Sequence, residues 1–301
     1  YPDARMRLLG LVTLVVLAGC SSAGREAAWE KSEPVPRAAG TSTASVGQLT
    51  DAEAAWALRD DKAQLEKALK IYEAIVAKDA GHGLAMTKLS RAYYFLVDAH
   101  LSLNDAVTPE DRLAVLQKGV DWGERALLVL DPSFEKKMRA GVEFDQAIKD
   151  IEKPAIEAAY WYCANLARFA HAKGLAARLF HKDRIGAAME RIAEIEPNFF
   201  HSAVDRLFGS YYAGLPSVGG RDLEKAKIHF DQALKASPGY LGNKLLMADL
   251  YAVNTNDRAL YQKLLKEVIA SPDGDDPDIA PENRAAKRHA EKLLNMTDER
   301  F

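Results

Sequence analysis

Cysteine is nearly absent: the 301-residue chain carries two, Cys20 and Cys163, which allow at most one disulfide, and none once Cys20 carries a lipid, so packing must hold the fold. Charge of one sign is lacking as well. Lys and Arg number 40 against 43 Asp and Glu, a net charge of −3 that gives no electrostatic reason to bind nucleic acid. The patterns of common catalytic and metal sites are missing. The seven histidines form no His-Glu-x-x-His pair, and there is no paired-cysteine box, no Gly-x-Ser-x-Gly elbow and no phosphate-binding loop. The acidic run from Asp273 to Asp278 puts Pro277 where a calcium ligand would sit, and no bidentate glutamate follows at the required distance. It reads as a solvated turn. The expectation is a protein that is not an enzyme and uses no metal or cofactor.

Long apolar runs are also scarce, and the one near the N-terminus is informative. Met6 and Arg7 precede an apolar stretch from Leu8 to Ala18, which is followed by Gly19 and Cys20. The stretch is too short to span a hydrocarbon core, which needs about 20 helical residues. A short basic start, an apolar run and small residues before a cysteine read as a bacterial lipoprotein signal, residues 1–19, cleaved before a lipidated Cys20. Two or more acyl chains there would anchor the chain in a membrane, in the periplasm, and Ser21 in place of Asp favours the outer membrane. Residues 20–48 are rich in Ser, Ala, Gly, Thr and Pro and are expected to form a flexible tether ahead of a folded body over 49–301.

That body is rich in one repeating pattern. Leu223, Ala226, Phe230, Ala233, Leu234 and Pro238 have the spacing of one helix of a tetratricopeptide hairpin, and Met247, Ala248 and Tyr251 that of the other. Small Ala226 and Ala233 admit a neighbouring helix, Phe230 fills the groove, and Pro238 forces the turn. Pro238 and Pro272 lie 34 residues apart, the period of this repeat. The preceding step, from Pro197 to Pro238, is 41 residues, and the surplus falls in Tyr212–Arg221, where Gly214, Pro216, Gly219 and Gly220 form a candidate loop or gate. Further copies over 65–93 and 125–132 are degenerate. Helix-period patterns cover 52–78, 83–103, 109–130, 134–150, 154–172, 174–195, 199–212, 221–236, 240–254, 257–270 and 281–296. Thr50 with Glu53 and Thr108 with Pro109 read as helix starts. The expected fold is all-α, with no sheet: a degenerate tetratricopeptide-repeat solenoid of about 11 helices, with the last one capping its open end.

Candidate binding residues cluster in the aromatic run from Tyr160 to Phe169. Trp161, Asn165 and Arg168 share one helical face, and Tyr162 shares the next with Leu166 and Phe169. An indole, an amide and a guanidinium on one stripe suit an organic acid, which needs an apolar wall and a fork for its carboxylate. The same stripe also suits plain helix packing, with Asn165 bonded to backbone and Arg168 paired to a glutamate. Arg206, Tyr211 and Tyr212, which precede the glycine-rich loop, and Arg91 with Tyr94 are further candidates for the same cavity. Cys163, in an apolar helical run, is expected as a small core residue.

The lipobox, the degenerate repeats, the run Tyr160–Arg168 and the run Phe208–Ala226 together resemble the T-component lipoproteins of tripartite ATP-independent periplasmic (TRAP) transporters, from about Asp51 to Leu294. Cys163 and Ala167 stand where the family would have a small residue and a glycine. The resemblance implies a periplasmic helical protein, commonly a homotrimer, with an apolar cleft through each protomer. Such a protein would bind the importer's substrate-binding protein and hold or relay a small organic-acid or amphipathic ligand. The competing reading is a scaffold lipoprotein for outer-membrane or envelope assembly, acting through protein contacts alone.

Overall fold

The computed structural model describes residues 25–31 and 43–301; the signal over 1–19 and the lipidation residue Cys20 lie outside the described residues. Every regular element among the described residues is helical. Among the described residues fourteen α-helices stand where about eleven are expected, because two helical patterns divide and a short helix, Thr297–Arg300, follows the pattern over 281–296. The pattern over 52–78 divides into α1 (Thr43–Ala57) and α2 (Lys62–Lys78), so Thr50 lies inside α1. The carboxylate of Asp61 accepts from the Ala63 amide and sets the start of α2. The pattern over 134–150 divides into α5 (Pro132–Arg139) and α6 (Phe144–Ala147), because Gly141, at φ +77°, turns the chain between them.

Between these lie α3 (Gly83–Phe95) and α4 (Pro109–Leu130). Pro109 opens α4 and Thr108 forms a capping box with Asp111. α7 (Ile156–Lys173) and α8 (Leu175–Ile195) meet at Gly174, whose φ of +103° reverses the chain in one residue. Then come α9 (Phe199–Gly214), α10 (Leu223–Ala236), α11 (Gly242–Leu246), α12 (Arg258–Ala270), α13 (Ala280–Asn295) and α14 (Thr297–Arg300). Two helices run on into π-helical turns: α3 into Leu96–Leu101 and α11 into Met247–Ala252.

α4 packs between α3 and α7. Its Gly119 lies so close to Asn165 that a Cβ would fall 2.3 Å from the amide oxygen, and a Cβ on Gly123 would fall 2.8 Å from the Tyr162 backbone. In the repeat read from sequence, Ala226, Phe230, Ala233, Met247 and Ala248 are buried, and Tyr251 is half-buried. Buried apolar side chains form two cores, one over 27–204 and one over 213–290. α13 joins both, giving Ala285 to the first and Ala286 and Ala290 to the second.

α13 also returns to the start of the chain. The His289 Nε2–H donates to the Asp98 carbonyl at 2.8 Å, and Lys292 reaches Asp105 at 2.5 Å. Buried Arg59 donates to the Asp278 carbonyl at 2.8 Å and pairs with Glu282, to which Arg91 also donates at 3.1 Å. Residues 25–31, inside the stretch expected as a tether, instead lie against α4, α5, α6 and α7, with Ala27, Ala28 and Trp29 buried.

Candidate functional site

A cavity of about 510 Å³ opens between the end of α3, the start of α4, α7, α8, α9 and the second π-helical turn. Its wall is apolar over Val97, Leu116, Ala164, Ala167, Leu207 and Leu250. Both π-helical turns face it, the first through Val97 and the second through Asp249 and Leu250. Such turns occur disproportionately at functional sites, since the extra residue re-aims side chains that a regular helix would stack.

The polar part of the wall is cationic. Arg112, Arg168, Arg178, Lys182 and Arg206 line the cavity, against one acid, Asp249. That acid is already paired with Arg300. Arg168 is likewise committed, to Asp98, and its guanidinium sits 4.8 Å above the Tyr94 ring. Burial alone would raise the Asp98 carboxyl, but Arg168, His289 and Arg288 outweigh it and hold the group below the usual carboxylate range. Lys182 pairs with the exposed Asp183 at 2.7 Å.

The three remaining arginines bond only neutral groups. Arg112 donates to the Val107 carbonyl at 2.8 Å. Arg178 donates to the Gly214 carbonyl at 2.9 Å, and its buried Nε has no partner. Arg206 donates to the His201 carbonyl at 3.0 Å and to Asn243 Oδ1 and the Tyr160 hydroxyl at 3.1 Å. Carbonyls and hydroxyls satisfy hydrogen bonds without cancelling charge, so the field of these guanidiniums reaches into a low-dielectric space.

The Arg206 contacts have a second consequence. Phe200, His201 and Ser202 have φ of 39°, 54° and 59°, a left-handed turn that costs roughly 1–2 kcal/mol per non-glycine residue. By binding the His201 carbonyl, Arg206 stabilises that turn and spends its donors there. Arg178 keeps donors free, so it is the better ligand fork. His171 also lines the cavity; burial, aided by Arg178, keeps its imidazole below the ordinary value and hence neutral at pH 7.

Of the residues singled out from sequence, Tyr94, Arg168, Arg206, Tyr211 and Gly214 line the cavity. Five others are not part of its lining. Trp161 packs at a tilt against Tyr94 and edge-on to Phe200 in the core. Tyr162 faces the opposite side of α7, toward Trp29 and Phe144. Asn165 ties α7 to α3, donating to the Ser90 carbonyl and, within its own helix, to the Trp161 carbonyl, both at 2.9 Å. Arg91 lies over Trp56, Trp161 and Phe200 and serves Glu282. Tyr212 stacks on Phe208 and His229.

The glycine-rich loop is folded beside the cavity. Leu215 lines the wall, Pro216 accepts from the Gly219 amide at 2.8 Å, and Gly220 takes φ +96°. A Cβ on Gly219 would fall 2.9 Å from Leu179 of α8. Arg112, His171, Arg178, Lys182 and Asp249 were not singled out from sequence. A signal existed for the α8 pair: Arg178 and Lys182 are four residues apart on one face, with no acid at that spacing, unlike the pairs Lys62–Glu66 and Lys227–Asp231.

Fold and cavity define an all-α protein with an open, positively charged cavity between its helices. Residues 62–301 match the family of the TRAP transporter T-component, and the chain belongs to that family. It is therefore an accessory component of TRAP transport, and the resemblance read from the sequence is borne out. The chain is also similar to a Treponema pallidum (strain Nichols) protein described as uncharacterized, at 21% identity over 233 residues, 72% of this chain and 70% of the relative.

Proposed function

We propose that this chain is a non-enzymatic, periplasmic lipoprotein accessory of a TRAP-type importer, anchored through Cys20, with the outer membrane favoured. It binds the importer's substrate-binding protein and holds or relays an amphipathic organic anion. The observation that carries the ligand half is the charge imbalance of the cavity: three guanidiniums with neutral partners, in a wall whose one acid is already paired. A carboxylate entering there replaces the missing counter-charge, and its hydrocarbon part covers Val97, Leu116 and Leu250.

The partner half is supported by the surface beside the cavity. Val218, at the tip of the loop whose Leu215 lines the cavity, is 90% exposed. A large apolar group held out to solvent on that loop suits a protein that docks over the cavity. A homotrimer fits the same reading and is tested by native mass spectrometry of the chain from Ser21.

Calorimetry with a medium-chain carboxylate and the alcohol of equal length tests the ligand assignment. The carboxylate is expected to bind at least about tenfold more tightly, a difference of about 1.4 kcal/mol. Equal affinity for the two would remove the anion from the proposal. A solvated, ligand-free cavity together with capture of envelope-assembly proteins would favour the scaffold reading instead.

A further inference from the structure

The acid in the cavity wall is masked from behind the wall. Asp249 lines the cavity from the second π-helical turn, and the guanidinium that neutralises it belongs to Arg300 of α14, which is not part of the lining. Arg300 pairs with the Asp249 carboxylate and donates to the Asp249 carbonyl at 3.2 Å. One guanidinium thus holds both the side chain and the backbone of the acid.

α14 is a single turn, too short to persist on its own, so its place is set by what it touches. Thr297 is buried, and its hydroxyl donates to the Leu294 carbonyl at 2.6 Å, tying the turn to the end of α13. Phe301 packs edge-on to Tyr261 of α12, with ring centres 5.2 Å apart, and the Tyr261 hydroxyl donates to the Leu293 carbonyl at 2.7 Å. Arg258 of α12 pairs with Asp298. Arg300 is therefore held against Asp249 by two helices, α12 and α13, that do not themselves line the cavity.

A bare carboxylate at 249 would oppose an anionic ligand twice over. It would repel the anion across a low-dielectric space, and it would compete for the guanidiniums that have no counter-charge. His171 reports that Asp249 and Arg178 act on the same region: burial and then Arg178 lower its imidazole, and Asp249 opposes them. With Arg300 in place, Asp249 presents a neutral pair, and the charge of the wall is left to Arg112, Arg178 and Arg206.

We propose that Arg300 is a specificity-determining residue, which makes the cavity select a carboxylate over a neutral ligand of the same shape by neutralising Asp249. This rests on the reading of the cavity as an anion site. Arg300 acts through Asp249 and touches no ligand itself.

Calorimetry on the full chain, with a medium-chain carboxylate and its alcohol, tests the selectivity. Arg300→Gln should weaken carboxylate binding about tenfold, or about 1.4 kcal/mol, and leave alcohol binding within about twofold. Adding Asp249→Asn should restore most of the loss, because the charge to be masked is gone. Arg300→Lys keeps the cation and should lose no more than about threefold. Equal losses for carboxylate and alcohol, with no recovery on adding Asp249→Asn, would make Arg300 a structural prop and overturn the proposal.

A ligand-free readout is the titration of the His171 ring by NMR. Charged groups act on it from three elements: Arg178 from α8, Asp249 from the second π-helical turn and Arg168 from its own helix. Of these, Asp249 alone loses its partner in Arg300→Gln. An unmasked carboxylate favours the protonated imidazole, so the His171 midpoint should rise in Arg300→Gln and return when Asp249→Asn is added. An unmoved midpoint overturns the masking whether or not a ligand binds. If the midpoint moves as expected but the unsubstituted chain binds carboxylate and alcohol equally, the masking stands and the anion reading of the cavity fails.

Discussion

At the residue scale, the cavity separates two arginines that the sequence cannot rank. Arg168 sits on the aromatic stripe, but Asp98 already occupies it. Replacing Arg168 with Leu leaves a partly buried carboxylate without its partner, and we expect a loss of roughly 1–2 kcal/mol in stability by urea unfolding. Arg178 has no acid to release. Arg178→Met should leave stability within about 0.5 kcal/mol and weaken carboxylate binding by about tenfold or more in calorimetry, or about 1.4 kcal/mol. The reverse pattern, with Arg168 controlling affinity and Arg178 controlling stability, would falsify this ranking. His171 adds a pH dependence of definite sign. Its folded value is depressed by burial, so the ring is neutral at pH 7 and gains charge only as the pH falls below its ordinary value of about 6.5. Affinity for a permanent anion such as an alkyl sulfonate should rise on acidification from about pH 7.5 to 5.5, and the rise should vanish in His171→Gln. The stripe Trp161-Asn165-Arg168 was legible as a pattern, but its role was not. A helical face shows which residues share a side, whereas Asn165 is spent on Ser90 and Trp161 on Phe200, neighbours that only the folded chain brings together.

At the element scale, many helices were legible because their ends are chemically marked. Thr108 and Asp222 cap the helices that follow them, and Pro197, Pro238 and Pro272 each follow a helix end, whereas the caps Asp61 and Asp131 were passed over and the helices they open were not separated or started where they begin. What periodicity could not show is the pair of π-helical turns, since one extra residue leaves the apolar spacing nearly unchanged. Nor could composition reveal the packing of 25–31. Ala27 and Ala28 resemble linker residues until Arg25 and Trp29 on either side are seen to meet Glu124 and Phe134. The tightest helix contact makes a prediction. A methyl on Gly123 would meet the Tyr162 backbone at 2.8 Å, and backbone cannot rotate out of the way. Gly123→Ala must push α4 and α7 apart, so we expect a loss of about 1–3 kcal/mol despite the better helix propensity of alanine. Gly186 on α8 has nothing within 4 Å of its Cβ position and supplies the control: Gly186→Ala should stabilise slightly in the same denaturation series.

At the scale of the whole molecule, α13 is one of two helices, with α9, that join the cores. Its Ala285 belongs to the first and its Ala286 and Ala290 to the second, while Glu282 of the same helix serves Arg59 and Arg91 from the N-terminal third. Two buried guanidiniums share that carboxylate, and burial already pulls the Arg59 group below its ordinary value, with Glu282 opposing it. Glu282→Gln keeps the shape and some hydrogen bonding but removes the charge, leaving two like charges a few ångströms apart in a poorly hydrated site. Losing a buried ion-pair partner costs roughly 3–5 kcal/mol, and here the loss falls on the junction rather than within either core. The unsubstituted chain should therefore unfold in one calorimetric transition, with calorimetric and van't Hoff enthalpies equal. In Glu282→Gln the 213–290 core should separate as an earlier transition, because α13 is, with α9, one of two helices that give side chains to both cores. A single transition at an unshifted midpoint would mean that α13 is a passive cover and that the cores are coupled through α9 alone.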